Sequence, residues 1–170
     1  MGAPAPAGGG LEAAAAVHRA LAAAGATAAT AESLTGGLIG ATLTAVPGAS
    51  ATYRGGVVAY ATDLKADLLG VPRDLLAAHG AVHPDVAAAM ARGARLNLAA
   101  TFGLAVTGVA GPEPQDGRAV GTVFAAVSGP SGSGRVCELR LTGDRADIRY
   151  STTDQALFLL AAEVATITGK

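Results

Sequence analysis

The chain has 170 residues, a net charge of −1 and a single cysteine, Cys137, enough length for one domain with a substantial core. There is no long basic or acidic run of the kind that marks a nucleic-acid groove or a membrane surface, and one cysteine excludes an internal disulfide and a thiolate metal cluster. No apolar stretch reaches the roughly 18 residues of a membrane span, and the N-terminus lacks a basic region followed by an apolar one, so a cytoplasmic protein is expected.

Much of the 51% hydrophobic content is alanine, which favours helix and close packing without adding much apolar area. Residues 1–10 read as a flexible leader and 11–170 as one domain. Residues 11–24 form a helix by composition, with Gly25 where a stop belongs. A short β-compatible stretch, 27–31, runs into Thr35-Gly36-Gly37, which opens an apolar helix over 38–45 that Pro47-Gly48 ends. Residues 55–60 read as a buried strand. Asp63 is placed to cap a short helix over 64–69, Pro72 starts another helical piece that ends near His79-Gly80, and Pro84 occupies the first turn of a long helix reaching residue 100.

Residues 102–107 make a strand that leads into the loop 108–117. The stretches 120–128 and 135–141 pair as β-strands through a glycine-rich connection, and Asp144 caps a last helix running towards residue 167. This alternation predicts a layered α/β/α domain around a mixed, mainly parallel sheet.

Phosphate-loop, dinucleotide and serine-elbow signatures are absent. His79 and His83 are separated by Gly80 and His18 lies far off in sequence, so no metal site is expected. Four segments can carry chemistry. In Glu32-Ser33-Leu34-Thr35-Gly36-Gly37, a strand meets a helix start whose backbone N–H groups suit a phosphate or a developing oxyanion. Taken alone, Ser33 or Thr35 equally fits an ordinary N-cap. Tyr60 and Lys65 flank the next strand-to-helix junction, where a desolvated lysine can deprotonate a serine; a core ring and a solvated lysine fit the same spacing. Thr107-Gly108-Val109-Ala110-Gly111-Pro112 ends a strand in a glycine loop. Gly143-Asp144-Arg145, with Arg149 a turn later, offers a guanidinium for a phosphate or carboxylate.

In this order, these segments resemble the CinA C-terminal domain family, the nicotinamide-nucleotide amidohydrolases. The likeness extends through Tyr53-Arg54-Gly55-Gly56-Val57-Val58-Ala59-Tyr60, Lys65 to Gly70-Val71, His79-Gly80-Ala81-Val82 and Val120-Gly121-Thr122-Val123, and covers the chain from Leu11 to about Ala162. The resemblance implies hydrolysis of the carboxamide of nicotinamide mononucleotide to nicotinate mononucleotide and ammonia, with no metal or other cofactor. It implies Ser33 as nucleophile with Lys65 and Tyr60 as proton-transfer partners. Thr35, Gly36, Gly37, Thr107, Gly108, Gly111 and Arg145 become the expected substrate-binding set. A homo-oligomer of the stand-alone form is also implied, with a pyridine nucleotide as its partner and neither nucleic acid nor membrane. The alternative is a nucleotide-binding or regulatory module without turnover, linked to competence or DNA repair.

Three positions depart from the family pattern. Leu34 stands where many members carry cysteine, and Thr107 where serine is frequent. The loop Glu113-Pro114-Gln115-Asp116-Gly117-Arg118-Ala119 replaces a glycine-rich stretch ending in Lys-Pro.

Overall fold

A computed structural model describes residues 9–169. The expected leader lies outside the described residues except for Gly9 and Gly10, which already belong to the first helix. In chain order the elements are α1 (Gly9–Ala24), β1 (Ala28–Glu32), α2 (Leu38–Thr44), β2 (Tyr53–Val58), α3 (Thr62–Leu69), α4 (Arg73–His79), α5 (Pro84–Asn97), β3 (Phe102–Gly108), β4 (Thr122–Ser128), β5 (Gly134–Arg140) and α6 (Arg145–Thr168).

The strands form one sheet in the order β2-β1-β3-β4-β5. β1 pairs in parallel with both β2 and β3, while β4 runs antiparallel to β3 and to β5. The sheet is thus mixed, with β4 alone reversed. Strand alternation sorts the core into two layers. Leu104 and Val106 of β3 with Val123, Ala125 and Val127 of β4 pack among residues of α1, α2 and α6. Ala105, Phe124 and Ala126 face the opposite way and pack with Val86, Met90 and Ala94 of α5 and Leu69 of α3. Helices therefore cover both faces, in the expected layered α/β/α arrangement.

Two boundaries differ from expectation for identifiable reasons. The long helix stops at Asn97 because Ala99 adopts φ +50, and the Ala100 amide turns back to the Arg95 carbonyl. That closure is of the Schellman kind, made here without glycine. The second strand is an edge strand and not a buried one; its residues alternate between half-buried and exposed. It also ends at Val58, which leaves Ala59 and Tyr60 beyond the sheet.

The topology determines where a ligand fits. From β1 the chain passes through α2 to β2 on one side, then crosses by α3, α4 and α5 to β3 on the other. The C-terminal end of β1 is therefore the switch point of the parallel strands, where neighbouring loops diverge and leave a crevice.

Close backbone approach packs two helices of the crossover, α3 and α5, against each other. A Cβ added at Gly93 of α5 would lie 2.0 Å from the Leu69 carbonyl oxygen, a backbone atom that cannot swing aside. Gly93→Ala should lower unfolding stability by about 2–3 kcal/mol, as overpacking of a rigid contact does, measured as a fall in the urea midpoint with little change in slope.

Candidate active site

The turn after β1 is organised by a carboxylate. Glu32, 2% exposed, accepts the Gly37 and Ile39 amides at Oε1 (3.1 and 2.9 Å) and the Gly40 amide at Oε2 (3.0 Å). These are amides that a helix start leaves without intrahelical partners, and an anion there is favoured by the dipole. The N-cap position itself is Gly37, at φ 104 and with no side-chain cap. Neither Ser33 nor Thr35 is therefore the helix cap. Ser33 keeps its hydroxyl for another partner.

That partner is Lys65. Its Nζ donates to Ser33 Oγ at 3.1 Å, to the Ala59 carbonyl at 2.7 Å and to the Tyr60 carbonyl at 3.4 Å. The lysine is 1% exposed. It reaches the serine from α3, which starts after Ala61 with no side-chain cap. Asp63 lies in the first turn, where it accepts the Leu64 amide, so the expected Asp63 cap is not formed. Burial pulls the Lys65 ammonium from its usual 10.5 down to about 8, and the Asp116 carboxylate acts in the opposite direction. A neutral amine is thereby accessible near neutral pH, beside a hydroxyl that needs a base.

Ser33 opens into a small cavity of about 110 Å³, also lined by Leu34, Tyr60, Gly108, Val109, Ala110, Gly111, Glu113, Gln115 and Arg145. Of the expected binding residues, Gly108, Gly111 and Arg145 are in this wall. Arg145 bridges the crevice, donating from Nη2 to the Tyr60 hydroxyl (3.0 Å) and from Nη1 to the Gly111 carbonyl. Tyr60 is 58% exposed, and its hydroxyl bonds Arg145 and neither Ser33 nor Lys65.

The remaining expected contacts serve the frame. The Gly36 amide donates to the Ser33 carbonyl and the Gly37 amide to Glu32, so neither is free for a ligand. Thr35 is fully buried, and its hydroxyl lacks a partner among the described residues. Thr107, also buried, donates to the Ala81 carbonyl at 2.8 Å. None of these four lines the cavity.

Two framing residues carried no assigned role in the sequence reading. Glu32 sits five residues before Gly37, outside any standard capping spacing. Arg149 donates from Nε to the Leu34 carbonyl (2.9 Å) and from Nη2 to the Thr35 carbonyl (3.1 Å). It clamps the backbone just after the serine. Its position one turn beyond Arg145 was the available signal.

The histidines act structurally. His18 bonds Thr52 Oγ1 and the Leu43 carbonyl. His83 stacks on His79 and accepts the Asp85 amide at the start of α5. Among the described residues no three metal-ligating side chains converge, and no helix is long and apolar enough to cross a membrane.

Residues 11–164 match the CinA C-terminal domain family, and the chain belongs to that family. A CinA-like protein of Frankia casuarinae is 54% identical over 140 residues, 82% of this chain and 32% of that protein. A putative competence-damage inducible protein of Desulforamulus reducens is 52% identical over 136 residues, 79% of this chain and 32% of that protein. The chain thus spans about a third of the length of the curated relatives it matches. Among solved structures, the competence/damage inducible protein CihA of Agrobacterium tumefaciens superposes with a TM-score of 0.90 at 37% identity, covering 95% of this chain and 99% of that one. A CinA superfamily protein of Klebsiella pneumoniae gives 0.88 at 34% identity, covering 92% and 98%.

The buried lysine has a thermodynamic signature. Unfolded, Lys65 holds its proton up to 10.5; folded, only to about 8. Between these values the unfolded state binds more protons, so stability must rise with pH. Relative to Lys65→Met, the native protein should gain about 3 kcal/mol between pH 8 and 10.5, measured by urea unfolding at a series of pH values.

Proposed function

We propose that this chain is a metal-independent amidohydrolase that converts the carboxamide of nicotinamide mononucleotide to the carboxylate, releasing ammonia. The observation that carries the reading is the 3.1 Å contact between Ser33 Oγ and a buried Lys65 amine beside the crevice. The family resemblance supplies the substrate.

In this mechanism neutral Lys65 takes the Ser33 proton as Oγ attacks the carboxamide carbon. The resulting oxyanion faces the Leu34, Ala110 and Gly111 amides, which donate to no acceptor among the described residues. Collapse breaks the C–N bond. The nitrogen leaves as ammonia, taking the proton that Lys65 accepted, relayed by Tyr60. Water, deprotonated by the same amine, then hydrolyses the acyl-serine ester and regenerates Ser33. Arg145 at the crevice wall receives the substrate phosphate as a bidentate guanidinium. Engaging phosphate releases the Tyr60 hydroxyl from its bond to Arg145 and lets it turn towards the leaving nitrogen.

Purified protein should release ammonia from nicotinamide mononucleotide, and Ser33→Ala should abolish release while leaving the fold intact. Because the base must be neutral, kcat/KM should rise with pH through about 8, the plateau standing about tenfold above the value at pH 7. Full turnover by Ser33→Ala, or ligand-induced thermal stabilisation with no ammonia from the native protein, contradicts the reading.

A further inference from the structure

We propose that the groove between α5 and the start of β5 is a second ligand site, built for a diphosphate carried on an apolar ring body, as in a nucleoside diphosphate. The proposal is independent of the reaction assigned to Ser33.

The groove lies at the opposite end of the sheet from the crevice. Ser33 follows the last residue of β1, whereas Ser128, which lines the groove, pairs with Gly103 near the start of the parallel strand β3. The groove has a volume of about 530 Å³, against about 110 Å³ at Ser33. Small-molecule sites occupy roughly 300–1,000 Å³.

Its charge is one-sided. Arg92 and Arg95 of α5 and Arg135 of β5 line it, and no aspartate or glutamate among the described residues does so. The chain as a whole is balanced, with 12 lysines and arginines against 13 acidic residues, so this segregation is local. Arg92 and Arg95 are three residues apart and share a helix face, a spacing at which like charges oppose the helix. A cation in the last turn complements the helix dipole, which accounts for Arg95 but not for Arg92 or Arg135. Neither Arg92 nor Arg135 has a hydrogen bond or ion pair among the described residues.

Arg95 is already set for an anion. It is half-buried, and its Nε donates to Ser128 Oγ at 3.2 Å. That bond fixes the guanidinium plane and leaves both Nη groups without a partner among the described residues. A guanidinium so held offers two parallel donors to a phosphate.

The facing wall is the connection between β4 and β5, and it is closed on itself. The Gly129 amide donates to the Ser133 carbonyl at 2.8 Å, while the Ser133 amide and hydroxyl both donate to the Pro130 carbonyl. At Gly134 a Cβ would lie 2.4 Å from the Val127 carbonyl oxygen, so the wall there stays bare backbone. Beside it, Val136 pairs with Ala126 and shares its α5-facing side of the sheet, yet it is 40% exposed. Val136 and Ala88 of α5 give the groove an apolar surface next to its arginines. A bare anion would make no use of that surface. A phosphorylated ring compound uses both.

A ¹H–¹⁵N NMR titration of the full chain with ADP, inorganic pyrophosphate and adenosine tests the assignment. ADP should shift the amides of residues 132–136 and the Arg95 Nε–H resonance saturably, and these shifts should persist in Arg145→Gln, which alters the crevice instead. Arg92→Gln and Arg95→Gln should each weaken ADP binding by about tenfold or more, as loss of a charged hydrogen bond does, while the rest of the amide spectrum confirms the fold. Arg95→Lys keeps the charge without the planar fork and should recover only part of the loss. Pyrophosphate should shift the same residues but bind more weakly than ADP, and adenosine should give no saturable shift. ADP-induced shifts confined to the crevice, an ADP affinity unchanged in both glutamine variants, or pyrophosphate binding as tightly as ADP would overturn the proposal.

Discussion

Lys65 lies buried against the Ala59 carbonyl and the Ser33 hydroxyl, and the rest of the crevice is arranged around that contact. An amine out of water disfavours its charged form, so the fold carries a cost at neutral pH that a solvated lysine would not impose. The Ala59 carbonyl offsets part of it by accepting at 2.7 Å. That carbonyl is free because β2 ends at Val58. The early end of an edge strand thus supplies the acceptor that directs the lysine at the serine.

A second buried group makes the serine available. A strand running into a helix would normally engage a hydroxyl as cap. Here Glu32 reaches forward to the amides of Gly37, Ile39 and Gly40, and Arg149 holds the carbonyls of Leu34 and Thr35 from the other side. Charged side chains thus satisfy three amides and two carbonyls of the turn. The turn is therefore held from both sides, and the Ser33 hydroxyl is left for Lys65. Catalytic groups held by such a frame can act without reorganising at the moment of reaction.

Much of this architecture was legible in the sequence because it is written in local signals. Gly25, Pro47-Gly48 and Pro84 mark helix ends by backbone geometry, and Asp144 caps the last helix through its side chain as expected, with Asp147 completing a capping box. What stayed hidden depends on tertiary neighbours. The run Gly55-Gly56-Val57-Val58 looks like a core strand, and only the sheet order makes it an edge. Ala99 carries no hint that it will adopt the left-handed conformation ending α5. Family resemblance pointed to Ser33 and Lys65, and the structure brings them together. The Gly36 and Gly37 amides, at a helix start, and Thr107, at a strand end before a glycine loop, were expected at the ligand, but Ser33, Glu32 and Ala81 take their hydrogen bonds. Glu32 was overlooked because its partners lie five to eight residues ahead, a spacing that no local rule anticipates.

The central claim is that Lys65 activates Ser33, and it can be tested without any assumption about the substrate. Intact-mass measurement of Ser33 modification by a small fluorophosphonate, followed as a rate against pH, reads the nucleophile directly. The account predicts a single modified serine, a rate rising through about pH 8, and near-complete loss of labelling in Lys65→Met. A rate independent of pH across that range, or equal labelling of Ser33 in the folded Lys65→Met protein, would contradict it.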